Sequence, residues 1–279
     1  MTGGTHGDEY EGQLALLQLT REIDPKDVAG QLIVIPALNL PAAMAGQRCS
    51  PIDAGNLNRC FPGDPDGSVT QMLAHFVETV LLARVSYFLD IHSGGTSLEY
   101  LPSAMAAPDP DDDVAVQQAT AALRAFGAPA GFLFKSLPDD RTTMAASRRQ
   151  GVFQLATEIG GGATVTPRSL AVASRGARNF LAHIGVWNVP PTVGDETILL
   201  ASGDTDDFVV AMARGLFAPA FELGQRVEAG ALAGAVHFPD EPERAPVPLH
   251  FAKAGMVIGR RTLTACEPGD TLAQVGQPA

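Results

Sequence analysis

The stretch SVTQMLAHFVETVLLARVSYFLDIHSGG (68–95) decides the fold class. Its first half sets Val69, Met72, Leu73, Phe76 and Val80 on one stripe of a helix, with Ser68 in N-cap position. Its second half, SYFLDIH (86–92), reads as a short apolar strand that stops at a Ser-Gly-Gly turn. A helix feeding a buried strand is the repeating unit of an α/β sheet, and it recurs on both sides. Upstream, EGQLALLQLTRE (11–22) spaces Leu14, Leu17 and Leu19 as a helix does. QLIVIPALN (31–39) reads as a buried parallel strand, followed by a polar loop from Pro41 to Gly67. Downstream, 112–126 predicts a helix, GFLF (131–134) a strand, VFQLATE (152–158) a strand ending in a glycine triplet, and 167–186 a further helix. Residues 1–190 are therefore expected to form an α/β domain, with helices flanking a mostly parallel or mixed sheet.

The texture changes at Pro190-Pro191, after which glycine and proline recur every few residues. Segments 215–236 and 254–276 share a strand, a turn and a second short strand ending in glycine. This weak repeat of hairpins predicts a smaller β-sandwich or barrel-like domain over residues 191–279. Its pattern resembles half-motifs of biotinyl and lipoyl carrier domains, which carry a modifiable lysine between the halves. The equivalent stretch here, FPDEPERAPV (238–247), holds no lysine, and Lys253 lies outside it. The likeness is one of architecture only.

The 279 residues suffice for one large or two modest domains at about 150 residues each. A hydrophobic content of 46% supplies a sizeable core and excludes intrinsic disorder. The net charge of −12 repels phosphate backbones and anionic lipid, which argues against nucleic-acid and membrane-surface partners. No apolar stretch reaches the roughly 18 residues of a membrane span, because Glu78, Arg84 and Asp90 interrupt the best candidate. MTGGTHGDE at the start has no basic segment followed by an apolar one, as a signal peptide would. Cys49, Cys60 and Cys266 show no Cys-x-x-Cys spacing and suit a reducing setting, so a cytoplasmic location is expected.

The chemistry-bearing residues form three groups. His6-Gly7-Asp8-Glu9 and His92 supply two imidazoles and a carboxylate, one of the recurring ligand sets of catalytic zinc. Arg48 and the run Asn56-Leu57-Asn58-Arg59-Cys60-Phe61-Pro62-Gly63 bring two guanidinium groups into one loop. Such forks match carboxylates and stabilise oxyanions. Glu158 in Thr-Glu-Ile-Gly is a lone carboxylate at a strand end, suited to moving a proton beside a metal-bound water. Asp90, two residues before His92 on the same strand face, is placed to approach the site. Arg148 or Arg149 is a further candidate contact for a substrate carboxylate. The remaining histidines (His75, His183, His237, His250) lie in helices and the β region and read as ordinary polar residues.

Gly-Thr-His-Gly-Asp-Glu, Arg…Asn-Leu-Asn-Arg-Cys-Phe-Pro-Gly, Asp-Ile-His-Ser-Gly and Thr-Glu-Ile-Gly occur in this order along nearly the whole chain. Together they resemble the succinylglutamate desuccinylase/aspartoacylase family, a branch of the zinc carboxypeptidase fold. Within it, PIDAGNLNRCFPG (51–63) looks most like the acetyl-diaminobutyrate deacetylases. The resemblance implies one zinc per chain on His6, Glu9 and His92, Glu158 as general base and acid, and Arg48 polarising the scissile carbonyl. It implies Asn58 and Arg59 on a substrate carboxylate, with Asn56 in the same substrate-binding loop. The family often has aspartate where Asn56 stands, orienting a zinc histidine. The implied reaction is hydrolysis of an N-acyl amide on a small amino acid substrate. Alternatives are a metallocarboxypeptidase acting on short peptides and a catalytically degenerate zinc- or ligand-binding protein; a homo-oligomer is compatible with either. A zinc histidine at position 6 leaves little room for the strand expected before it, so the chain is expected to lack one or more N-terminal strands.

Overall fold

The computed structural model describes residues 1–134, 137 and 139–279. Its fourteen strands are β1 (Thr2–Gly3), β2 (Tyr87–Ile91), β3 (Leu98–Ala106), β4 (Ala130–Leu133), β5 (Phe153–Gly161), β6 (Ile198–Ala201), β7 (Phe208–Val210), β8 (Gly215–Pro219), β9 (Arg226–Val227), β10 (Leu232–His237), β11 (Val247–His250), β12 (Gly255–Arg261), β13 (Ala265–Cys266) and β14 (Thr271–Pro278). The α-helices are α1 (Tyr10–Glu22), α2 (Leu40–Ala45), α3 (Val69–Phe76), α4 (Asp113–Phe126), α5 (Thr143–Arg149) and α6 (Pro167–His183).

Ten strands form one mixed sheet in the order β1-β2-β5-β3-β4-β6-β14-β12-β9, with β7 beside β14. β1, β2 and β5 run parallel, β3 is antiparallel to β5, and β3, β4 and β6 are again parallel. β12 also pairs with β3, so β3, β4, β6, β14 and β12 close on themselves as a small barrel. A bulge between Tyr100 and Ser103 lets β3 serve both partners. Phe132, Leu200 and Ile258 fill this closure. Strands on both sides of residue 190 thus share one sheet, while β11-β10-β8-β13 form a separate antiparallel sheet over its own core of Phe217, Phe221, Val236 and Phe251.

The period of two along β2 sorts its side chains. Leu89 and Ile91 face the core under α1, α4 and α6, with Leu16, Leu155, Phe126 and Phe180. Phe88 faces a second core made by the 57–61 loop, α3 and α5. Asp90 and His92 share the face of Phe88, which puts the chemistry on the α3/α5 side.

Three sequence expectations need correction. Residues 31–39 are not a strand: β1 offers only two residues, so pairing is limited to the bridge Thr2↔Ile35 and its neighbouring hydrogen bonds. The helix from Ser68 forms with a capping box, then passes into a π turn at Val77–Leu81 and a 3-10 turn to Arg84. Much of its apolar stripe points outward, however: Val69, Met72 and Phe76 are exposed while Leu73 packs against the core, and Thr70, Ala74, Val77 and Glu78 are buried. The buried polar members have partners, Thr70 on Asp53 and Glu78 in a bidentate pair with Arg149. Leu14 and Leu17 are likewise exposed, since Ala15, Leu16 and Leu19 form the inner face of α1. The sequence reading also missed β3, the nine-residue strand on which both the main sheet and the barrel depend.

Lys253, the lysine outside the carrier-like hairpin, pairs with Asp204 and Asp207. The three cysteines are free. Among the described residues no helix is long and apolar enough to cross a membrane.

Candidate metal centre and substrate site

Three chain segments meet at one point. His6 follows β1, Glu9 is the N-cap residue of α1, and His92 follows β2. Gly7 lets the first loop pass against α2, because a Cβ there would lie 2.0 Å from the backbone of Ala42. The loop is tied by Gly7 N–H to Gln47 O at 2.9 Å. All three side chains are buried, and their ligand atoms lie within 4.8 Å of one another. His6 Nδ1 stands 2.6 Å from Glu9 Oε1, and His92 Nδ1 stands 2.7 Å from Glu9 Oε2.

The far side of each ring settles what the near side offers. His6 Nε2 lies 3.0 Å from Asn56 Oδ1, which also accepts the backbone N–H of Asn58 and is thereby fixed as the amide oxygen. His92 Nε2 lies 2.9 Å from Asp90 Oδ2. Both rings therefore donate from Nε2, which turns both Nδ1 atoms toward a carboxylate. That point calls for a proton or a cation, and two histidines with one glutamate are a recurring zinc set. The residues fit the metal that the resemblance implies. Without a cation, burial would lower the His92 pKa, but the carboxylates of Asp90 and Glu9 outweigh it and raise it well above the usual value. Burial would raise Glu9, yet the two imidazoles hold it far below the ordinary carboxylate range.

Asp90 is the anchor of this centre. It is fully buried and accepts four hydrogen bonds, from Thr2, Thr5, His92 and Thr143. Burial alone would raise its pKa, but the charge of His92 and these donors lower it. An Asp90→Asn substitution replaces an acceptor by an N–H₂ that faces donors. It is expected to weaken metal binding by ~10–100-fold and to cost about 1–3 kcal/mol of stability. Metal titration and thermal denaturation of the variant check both figures.

The remaining expected residues surround the centre unequally. Arg48 Nη1 donates to Glu9 Oε1 at 3.2 Å while its side chain stays half exposed at the mouth. Glu158 lies on β5 with one buried oxygen that has no partner among the described residues. Its pKa is raised to about 8 by burial and by the charge of Glu9, against the opposing pull of His92 and Arg48. Asn58 Oδ1 accepts the Thr143 N–H at 2.8 Å, so it also seats the start of α5. Arg59 donates to Asn58 O and pairs with Asp139 at 3.3 Å. Asn56 sits on His6, in the orienting position. Arg149 is committed to Glu78, and Arg148 donates to Ala107 O; neither reaches the centre.

Four participants were missed or left undecided by the sequence reading. Asp139 links Arg59 to Arg141, whose guanidinium it holds through two bonds near 3 Å. Thr143 and Gln154 complete the support of Asp90 through Gln154 Nε2–H to Thr143 Oγ1 at 3.1 Å. Tyr100, opposite Gly160 on β3, has its phenol pKa raised by burial and by the nearby charge of Glu158. Only the alternation along SLEYLPSAMA hinted at a strand that would carry Tyr100 to the site.

Fold and site together define the class: a mixed α/β domain with a small barrel-like closure, whose loops gather a candidate metal centre. Residues 1–184 match the succinylglutamate desuccinylase/aspartoacylase catalytic domain. Over 278 residues the chain is 40% identical to the N-alpha-acetyl-L-2,4-diaminobutyric acid deacetylase of Halomonas elongata, covering 99% of this chain and 81% of that protein. The product-bound structure of the ectoine utilization protein EutE (DoeB) from Ruegeria pomeroyi superposes with a TM-score of 0.94 at 39% identity, covering 99% of this chain and 84% of that one. A succinylglutamate desuccinylase/aspartoacylase structure from Rhodobacter sphaeroides gives 0.93 at 36% identity, covering 100% and 84%. The chain belongs to the succinylglutamate desuccinylase/aspartoacylase family.

Proposed function

We propose that this chain is a zinc-dependent deacylase that hydrolyses the amide bond of a small N-acyl amino acid, with N-acetylated diamino acids as the favoured class. The observation that carries the reading is the convergence of His6, Glu9 and His92 on one point beside Glu158 and Arg48. The favoured class follows from the likeness to the Halomonas deacetylase. One zinc per chain, held by His6, Glu9 and His92, would supply a water acidified to about pKa 7 and a polarised carbonyl. Glu158 takes the proton of the attacking water and passes it to the amide nitrogen, so that the amine departs as the C–N bond breaks. Arg48 faces the oxygen on which negative charge develops. Arg59, with Asn58, holds the substrate carboxylate at the mouth. Asp90 and Asn56 keep both imidazoles in the tautomer that leaves Nδ1 inward. Residues 1–190 carry this chemistry, and residues 191–279 add β strands, several of them to the same sheet; the protein works in the cytoplasm as an acidic enzyme on small substrates.

The test is a screen of zinc-loaded protein against N-acetyl, N-succinyl and N-formyl amino acids alongside a short peptide. Release of acetate from N-acetyl amino acids is expected. Faster cleavage of the peptide would identify a carboxypeptidase instead, and stoichiometric zinc without turnover would leave a binding protein.

Metal binding should also depend on pH. The carboxylates hold a proton on His92 in the metal-free protein, and this proton must leave when the ion enters. Because that pKa is raised, zinc affinity should keep climbing with pH past 6.5 rather than levelling there. Zinc dissociation constants measured from pH 6 to 8.5 should therefore fall steadily; a plateau from about pH 6.5 would contradict the His92–Asp90–Glu9 arrangement.

A further inference from the structure

A second cavity, of about 460 Å³, opens at the far end of α5, between the start of β5 and the chain that follows β3. Its volume falls within the range of small-molecule sites, roughly 300–1,000 Å³. Gln154 and Glu158 point to the same face of β5 but stand four residues apart, about 13 Å at the strand rise. The cavity is thus distinct from the metal centre.

Three polar groups on its wall specify a ligand. Gln154 is only 6% exposed, and its Oε1 has no partner among the described residues. The orientation of this amide is forced. Asp90 Oδ2 can only accept, so the Thr143 hydroxyl donates to it; that hydroxyl must then accept from Gln154 Nε2, which leaves Oε1 as a bare acceptor. Arg148 and Asp109 also line the cavity, and neither takes part in an ion pair among the described residues. A cation and an anion that do not pair with each other, with a desolvated acceptor nearby, complement a zwitterion. Met144, Val152 and Phe153 supply an apolar wall.

We propose that this cavity binds a free α-amino acid with an apolar side chain. Arg148 takes its carboxylate, Asp109 takes its ammonium group, and the apolar wall takes its side chain. The site is wired to the metal centre, because Gln154, Thr143, Asp90 and His92 form one unbroken chain of hydrogen bonds. Filling the cavity constrains the Gln154 side chain at its wall and so biases the anchor of His92. The binding claim is independent of the deacylase reading.

The test is calorimetry of the zinc-loaded protein with L-leucine, with isocaproate and isoamylamine as probes that each lack one charge. Leucine should bind, and its affinity should drop by about tenfold or more in Arg148→Ala and in Asp109→Asn. It should be unchanged in Arg59→Ala, which reports on the metal-centre mouth, and both single-charge probes should bind at least about tenfold more weakly. Leucine should also shift the His92 ring signals in NMR spectra, and Gln154→Leu should abolish that shift. Absence of leucine binding, affinity that survives Arg148→Ala, or affinity lost in Arg59→Ala overturns the site. A bound leucine that leaves the His92 signals in place overturns the coupling. None of these readouts requires turnover, so a protein that hydrolyses nothing can still pass.

Discussion

Glu158→Gln is expected to remove about 10³-fold of the turnover while leaving the metal in place. The substitution keeps size and shape, so β5 and its neighbours should hold. What it removes is an unpartnered acceptor beside the centre able to carry a proton in both directions. Glu158 is suited to that task by its surroundings. Burial and the Glu9 charge push its pKa up to about 8, while Arg48 and His92 pull the other way. An ion on the three ligands adds positive charge and shifts the balance toward the ionised, proton-accepting form. The amide of glutamine has no such equilibrium. Amine release under saturating substrate measures the loss, and metal analysis of the same sample shows whether zinc stays stoichiometric. Near-normal turnover would remove Glu158 from the reaction, and loss of zinc would make it a structural support for the centre.

The sequence shows the ligands more readily than it shows what supports them. His6, Glu9, His92, Glu158 and Arg48 stand in short motifs at the ends of elements, where spacing and residue type speak directly. Asp90 announces itself only weakly, because its importance lies in four partners drawn from positions 2, 5, 92 and 143. No local pattern encodes that convergence. Asn56 lies in a loop beside two arginines and reads from its surroundings as a substrate contact; only the family resemblance points to a zinc histidine, and its neighbour His6 is fifty residues away. The fold shows the same division. The alternation of helices and strands is legible, yet β3 escaped notice because Pro102 and a bulge break its pattern. The exposed stripe of α3 misled for a related reason: hydrophobicity marks an inner face only when polar residues there lack partners. Thr70 and Glu78 have theirs, in Asp53 and Arg149.

Glu9→Gln should empty the centre. Among the described residues the carboxylate is the only group that bonds both imidazoles, and it also receives Arg48 Nη1 and the Ser93 N–H. A glutamine of the same shape can donate an N–H to one Nδ1, which satisfies that ring with a proton and withholds its lone pair from a metal. The charge that offsets a divalent ion is lost at the same time. The affinity for zinc is therefore expected to fall by more than the ~10–100-fold that loss of an orienting partner costs. Thermal stability makes this visible without any substrate. With zinc at about a hundred times its wild-type dissociation constant, binding adds about 2.7 kcal/mol to the wild type, and about 0.4 kcal/mol to a variant that binds a hundredfold more weakly. The zinc-induced rise in Tm should thus nearly vanish in Glu9→Gln. His92 should respond as well: with one flanking carboxylate neutralised, its pKa in the metal-free variant should drop relative to the wild type, which histidine NMR titration follows. A variant that keeps the full zinc-induced rise in Tm would show that the ion is held elsewhere, whatever the activity of the protein.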